Sequence, residues 1–129
     1  MRAVAIGALV LAFFVCVIPA GRAHYVPGAH NARHAIVGAW CKSNRLETAC
    51  PRGTQALRVA SCETGGTFSP WAGVGKHRYW GLFQVSDHWR ATVRGWAMDP
   101  WSQAEHAHRV YVLTHGWSHW SCAYLIGLL

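Results

Sequence analysis

The chain has 129 residues, 52% of them hydrophobic and 13% charged, with twelve Lys and Arg against five Asp and Glu for a formal net charge of +7. That length leaves room for one small domain whose core lies near the lower end of what folds unaided. The basic residues are scattered, without a run of the kind that forms a nucleic-acid arm, so nucleic acid is not an expected partner; charge alone does not choose between anionic lipid, an anionic cell wall and a merely solvated cationic surface.

Taken in chain order, Arg2 precedes the apolar run "AVAIGALVLAFFVCVI", and "PAGRA" follows with small residues suited to cleavage after Ala20 or Ala23. Residues 1–23 read as a secretory signal peptide, with a retained membrane anchor as the alternative, since the run is slightly short for a full span. Either way the remainder is expected to be exported, secreted or wall-associated, and to stay basic: without Arg2 and Arg22, ten basic side chains face five acidic ones, a net +5. Residues 24–40, "HYVPGAHNARHAIVGAW", have Pro, Gly and Asn but no clear period, and read as a linker or loose arm.

Residues 41–129 form the expected domain. Cys16 leaves with the signal, so Cys41, Cys50, Cys62 and Cys122 remain as an even set in an oxidising compartment. Three pairings are open; the favoured one joins Cys41 to Cys50 as a local loop and Cys62 to Cys122 as a long tie. The spacings are not the short paired knuckles of zinc sites, and neither metal nor cofactor is expected.

The spacing of Ala56, Leu57 and Ala60 predicts a helix from Thr54 to about Cys62, with Thr54 as cap and Gly65 and Gly66 as stop signals. The Gly- and aromatic-rich stretch after it suits a loop or small hairpin. A short helix is expected from Ser86 or Asp87 to Gly95, and a longer one after Asp99 and Pro100, ended by Gly116.

Only five acids exist: Glu47, Glu63, Asp87, Asp99 and Glu105. Asp87 and Asp99 suit helix caps, Glu105 has Arg109 four residues on, and Glu47 sits in the small disulfide loop. Glu63 is left without a structural role. At a helix C-terminus and near aromatic walls, ionisation is disfavoured and the pKa should rise, which makes a general acid; the plain alternative is a solvated helix-end carboxylate. The eleven aromatic residues from Phe68 to Trp120 are too many for a small core, so some should line a cleft, while Phe83, Trp101 and Tyr111 are expected in the core. His106 and His108, two apart, do not share a helix face, no "HEXXH" or "GXSXG" pattern occurs, and the nine histidines read as surface residues.

"ASCETGGTFSPWAGVGKHRYWGLFQVSDHW" followed by "DPWSQAEHAHRVYVLTHGWSHWSC" resembles the catalytic domain of resuscitation-promoting factors and related actinobacterial transglycosylase-like proteins of the lysozyme superfamily. The likeness runs from about Ala56 to Cys122, carried by a Cys-Glu-Ser/Thr-Gly start, a Gly-Leu-Phe-Gln centre, a helix rich in Gln and Ala, and a Gly-Trp-x-x-Trp-x-Cys close. It implies a mainly α, lysozyme-like (α+β) single catalytic domain with disulfides that cleaves peptidoglycan glycan strands, read as a monomer, with anionic wall polymers as a further partner. It implies Glu63 as the catalytic glutamate and Cys62–Cys122 as the family disulfide. Gly81, Leu82, Phe83 and Gln84 fall on the segment lining the cleft and Gln103 on a polar position of the last long helix. Thr64, Trp71, Tyr79 and Trp117 complete the expected substrate-binding set with Gly81, Leu82, Gln84 and Gln103. Thr64 replaces the commoner serine, and "GLFQ" differs from the "GLQF" order of the best-known members. With no second acid in evidence, the route expected is substrate-assisted: Glu63 protonates the glycosidic oxygen, the 2-acetamido carbonyl of N-acetylmuramic acid captures the anomeric carbon, and Glu63 then acts as base. The expectation from another class is a wall-binding or signalling module of the same fold without turnover, and a third is a cationic membrane-active protein.

Overall fold

The computed structural model describes residues 29–42, 46 and 49–129, and its first element lies where none was expected. The stretch read as a linker or loose arm carries most of helix α1 (Ala29–Cys41), whose Ala32, Ala35, Ile36, Val37 and Trp40 are all buried. The reason is packing on two sides: α1 lies against both α2 and α4, so buried residues both small and large face neighbours and no narrow apolar stripe emerges. Residues 1–28, with the apolar run and its cleavage sites, and Glu47 lie outside the described residues.

Helix α2 (Pro51–Glu63) begins a turn earlier than Thr54. Pro51 suits the first position, where its missing N–H costs nothing, and Cys50 caps the helix by accepting the Gly53 N–H at its sulfur, 3.4 Å away. The Cys41–Cys50 disulfide lies directly over Gly53, and any Cβ there would run into the Cys41 sulfur. Thr64 ends the helix, and Gly65 (φ +59°) and Gly66 (φ +83°) turn the chain through left-handed backbone, with Gly66 N–H bonded to Ser61 C=O at 2.7 Å. This paired glycine exit leaves Glu63 as the last helical residue.

Strands β1 (Tyr79–Trp80) and β2 (Val85–Ser86) pair antiparallel, Tyr79 opposite Ser86 and Trp80 opposite Val85, so "GLFQ" is the turn of a small hairpin. Gly81 takes φ +83°, and a Cβ there would meet the Gln103 amide. Gln103 explains the closeness: its Oε1 accepts the Leu82 N–H and its Nε2 donates to Pro70 C=O, both at 2.9 Å. Replacing Gln103 with Ala strands the buried Leu82 N–H and opens a void, so we expect a loss of about 2–4 kcal/mol in urea unfolding.

Helix α3 (Asp87–Thr92) is capped by Ser86, whose Oγ accepts the Trp89 N–H, and Asp87 instead pairs with Arg78 at 3.0 Å. Helix α4 (Pro100–Leu113) starts as expected, with Asp99 accepting the Ser102 N–H at 2.9 Å. Its exit passes through His115 (φ +57°) before Gly116, whose N–H bonds Tyr111 C=O. Helix α5 (Ser121–Leu125) follows closely. About half of the described residues are helical, in a small single domain, and none of these helices is long and apolar enough to cross a membrane.

Aromatic rings bind the layers together. Trp40 of α1 stacks on Trp117 with centroids 4.9 Å apart, Tyr111 meets both edge-on, and Trp117 abuts Trp120. Phe83 is fully buried beneath them, while Trp101 and Tyr111 are half-buried against the core.

His106 of α4, fully buried, departs from the surface role read for the histidines. Its Nε2 lies 3.1 Å from both Trp89 C=O and Val93 C=O, so Nε2 carries the proton, and Nδ1 has no partner among the described residues. Burial lowers its pKa, outweighing the two carbonyl contacts. A folded pKa below the unfolded one means that stability is intact above about 6.5 and is lost as pH falls below it. The melting temperature should therefore fall between about pH 7 and pH 5, and fall less in His106→Gln; equal falls would exclude His106 as the source.

Candidate active site

Glu63 is placed by three local features: the end of α2, the glycine exit after it, and the disulfide of its neighbour Cys62 to Cys122. The bridge brings the start of α5 alongside, where Cys122 N–H donates to Glu63 Oε1 at 3.3 Å. Trp120, the residue before α5, makes no side-chain cap of its own, so the carboxyl serves one of that helix's free N–H groups and leaves Oε2 for the cleft.

The cleft has a volume of about 340 Å³ and is lined by Glu63, His77, Tyr79, Gln84, His119, Trp120 and Ser121. A smaller cavity of about 150 Å³ adjoins it, sharing Tyr79, Gln84, His119 and Trp120 and reaching Val85, Ser86 and Trp89. Burial pushes the Glu63 carboxyl above the ordinary carboxylate range, offset in part by the Cys122 N–H. The negative end of α2 acts in the same direction as burial. Such a group holds a proton further toward neutral pH and can deliver it to a leaving oxygen.

Gln84 reaches the cleft from an unusual backbone, φ +44°, pinned by its Nε2 donating to Ala72 C=O and Gly81 C=O at 3.0 and 2.9 Å. Trp120 forms part of the wall while its indole N–H donates to Phe83 C=O at 2.9 Å. Tyr79 is 54% exposed and offers its ring at the mouth.

Of the residues expected to bind substrate, the cleft thus gathers Tyr79 and Gln84 beside Glu63. Trp71 is exposed but outside the lining. The others are placed inside the fold. Thr64 donates to Ala60 C=O and accepts the Phe68 N–H, locking the turn after α2. Gly81 and Leu82 are buried in the hairpin turn, Gln103 pins that turn, and Trp117 is stacked in the core with its N–H on Gln55.

Sequence reasoning missed His77, His119, Trp120 and Ser121. A Cys62–Cys122 bridge necessarily carries residues just before Cys122 to Glu63, so the last three were within reach of that inference. Nothing in the sequence pointed to His77.

Among the described residues, no other carboxylate lines the cleft. Asp87 is held by Arg78, Asp99 caps α4, and Glu105 accepts the Trp101 indole N–H and an Arg109 N–H. Nor do the described residues contain a group of three or more His, Cys, Asp or Glu arranged to hold a metal ion. No protein-family model matches the chain, and neither does any curated protein or solved structure.

Proposed function

We propose that the chain is an exported enzyme with a lysozyme-like domain that cleaves the N-acetylmuramic acid to N-acetylglucosamine bond of peptidoglycan, with Glu63 as its acid. The observation that carries the proposal is a half-buried carboxyl of raised pKa, opening on an aromatic-walled cleft in which no second carboxylate stands among the described residues. The resemblance of "SCETGG", "GLFQ" and "GWSHWSC" to the resuscitation-promoting factor domain supports it independently of geometry.

A two-carboxylate glycosidase needs its second acid across the scissile bond. Glu63 alone suits the substrate-assisted route. It gives its proton to the glycosidic oxygen as the bond to the anomeric carbon breaks, and the substrate's acetamido oxygen closes on that carbon to form an oxazolinium. The Glu63 carboxylate then takes the proton of the attacking oxygen as that oxygen bonds to the anomeric carbon and the oxazolinium carbon–oxygen bond breaks to restore the acetamide. Attack by the sugar's own 6-hydroxyl gives an anhydro product, and attack by water a reducing end. The basic surface suits attachment to anionic wall polymers.

A non-catalytic wall-binding module is favoured by one observation, that Glu63 has a structural task in accepting the Cys122 N–H. Incubation with purified peptidoglycan separates the readings. Release of soluble muropeptides, with anhydro or reducing ends assigned by mass spectrometry, is expected; binding without release would overturn the enzymatic reading.

A further inference from the structure

Residues 122–129, "CAYLIGLL", carry no charged or amide side chain, yet three of them project into water. Tyr124 is 72%, Leu125 73% and Leu129 63% exposed, more than any other large hydrophobic residue among those described. The backbone decides which side chains point outward. After α5 the chain turns through Gly127 (φ +74°), with Leu128 N–H bonded to Ala123 C=O at 2.9 Å and Gly127 N–H to Tyr124 C=O at 3.1 Å, a paired exit at a left-handed glycine. This brings Ile126 and Leu128 back against the core and leaves Tyr124, Leu125 and Leu129 outside.

The same turn satisfies the backbone from within. Cys122 C=O accepts the Ile126 N–H at 3.0 Å, and Arg58 Nη2 donates to Ile126 C=O at 3.0 Å. With Ala123 and Tyr124 already paired, four carbonyls of this short segment need no water, which is the condition an apolar medium sets on a backbone.

Ile126 also lines a groove of about 630 Å³ together with Leu57 and Phe68. Its charged members are Arg33 and Arg58, both exposed, and the Arg33 guanidinium stands over the Phe68 ring, 4.6 Å from its centroid. No acidic side chain lines the groove among the described residues. An apolar projection thus adjoins two arginines with no neighbouring negative charge.

We propose that this face docks on an anionic lipid bilayer, with Leu125 and Leu129 entering the hydrocarbon boundary, Tyr124 at the headgroup level, and Arg33 and Arg58 on lipid phosphates. The charges and the side-chain types choose this occupant. A second copy of the chain, meeting this face with its own, sets cations against cations with no acid between them. A protein partner makes about one hydrogen bond per 100–200 Å² of interface, and apart from the Tyr124 hydroxyl residues 123–129 have no side chain to supply one. Hydrocarbon asks for none. Tyr124, Leu125, Leu129, Arg33 and Arg58 do not line the cleft, so attachment and cleavage are separable, and the proposal does not depend on the role of Glu63.

The test is flotation of the exported chain, freed of residues 1–23, with vesicles of phosphatidylglycerol and phosphatidylcholine and with vesicles of phosphatidylcholine alone. The wild type should float with the mixed vesicles and at least about 10-fold less with the neutral ones. The triple variant Tyr124→Ser, Leu125→Ser, Leu129→Ser and the double variant Arg33→Gln, Arg58→Gln should each weaken binding to the mixed vesicles by about 10-fold or more, with folding confirmed by circular dichroism. Leu125→Ser alone, a single exposed change, should give a partial loss. Absence of the wild type from the floated vesicles would overturn the proposal. So would binding that the arginine changes abolish while the Ser changes leave it intact, since that describes a cationic surface without insertion. A concentration-dependent dimer in sedimentation velocity that the triple variant abolishes would assign the face to a second copy instead.

Discussion

Glu63→Gln should lower the rate of muropeptide release by about 10²- to 10⁴-fold, the range that loss of a positioned general acid produces, while the melting temperature holds or rises. The two readouts matter together because Glu63 has a structural task as well. Glutamine keeps the shape and an Oε1 that can accept the Cys122 N–H, so the start of α5 should stay seated. What it removes is the ionisable proton. The sign of the stability effect follows from the raised pKa: a folded pKa above the unfolded one means that ionisation opposes folding, and the penalty grows as pH rises through the folded value. A neutral amide is free of that penalty at and above neutral pH. Glu63→Ala is the informative contrast, since it loses both the proton and the acceptor; it should be inactive and also less stable by roughly 1 kcal/mol. If Glu63→Gln released muropeptides at the wild-type rate while Glu63→Ala was merely unstable, the carboxyl would be a cap for α5 and nothing more.

How far the sequence could be read depended on how local the determinants were. The α4 cap is a contact between Asp99 and Ser102, and the α2 exit is set by Gly65 and Gly66, so both were legible from neighbouring residues. Helix α1 was not, because its burial comes from α2 and α4 together, which spreads the buried positions beyond a single helical stripe. The site divides in the same way. Glu63 emerged by elimination among five acids, but Gln103 looked like a ligand-binding amide when its partners are Leu82 and Pro70, 21 and 33 residues away. Trp117 is hard to place from sequence for a related reason: a tryptophan's identity does not say whether its ring meets a sugar or another indole, and here it meets Trp40. His119 shares the cleft with Glu63 only through a bridge spanning 60 residues.

That bridge yields the second large effect. Replacing Cys62 and Cys122 together with Ala should cost about 4 kcal/mol of unfolding free energy if the loss is the loop-closure entropy of a chain segment this long. The same change at Cys41 and Cys50, only nine residues apart, should cost about 2.5 kcal/mol on the same reasoning. For a domain this small the first figure is a large share of total stability, so the Cys62–Cys122 variant is expected to be measurable only well below 37 °C. The two bridges should differ more in function than in stability. Cys41–Cys50 joins the end of α1 to the start of α2, at the opposite end of α2 from Glu63, whereas Cys62–Cys122 holds the N–H that bonds Glu63 and the segment that carries His119 and Trp120 into the cleft. Under conditions where both variants are folded by circular dichroism, the Cys41–Cys50 variant should keep most of the wild-type rate and the Cys62–Cys122 variant should lose most of it. Equal losses of activity would mean that the cleft is held by the packing of Trp40, Trp117 and Trp120 and not by the covalent tie. In that case the disulfide would act on the unfolded chain alone.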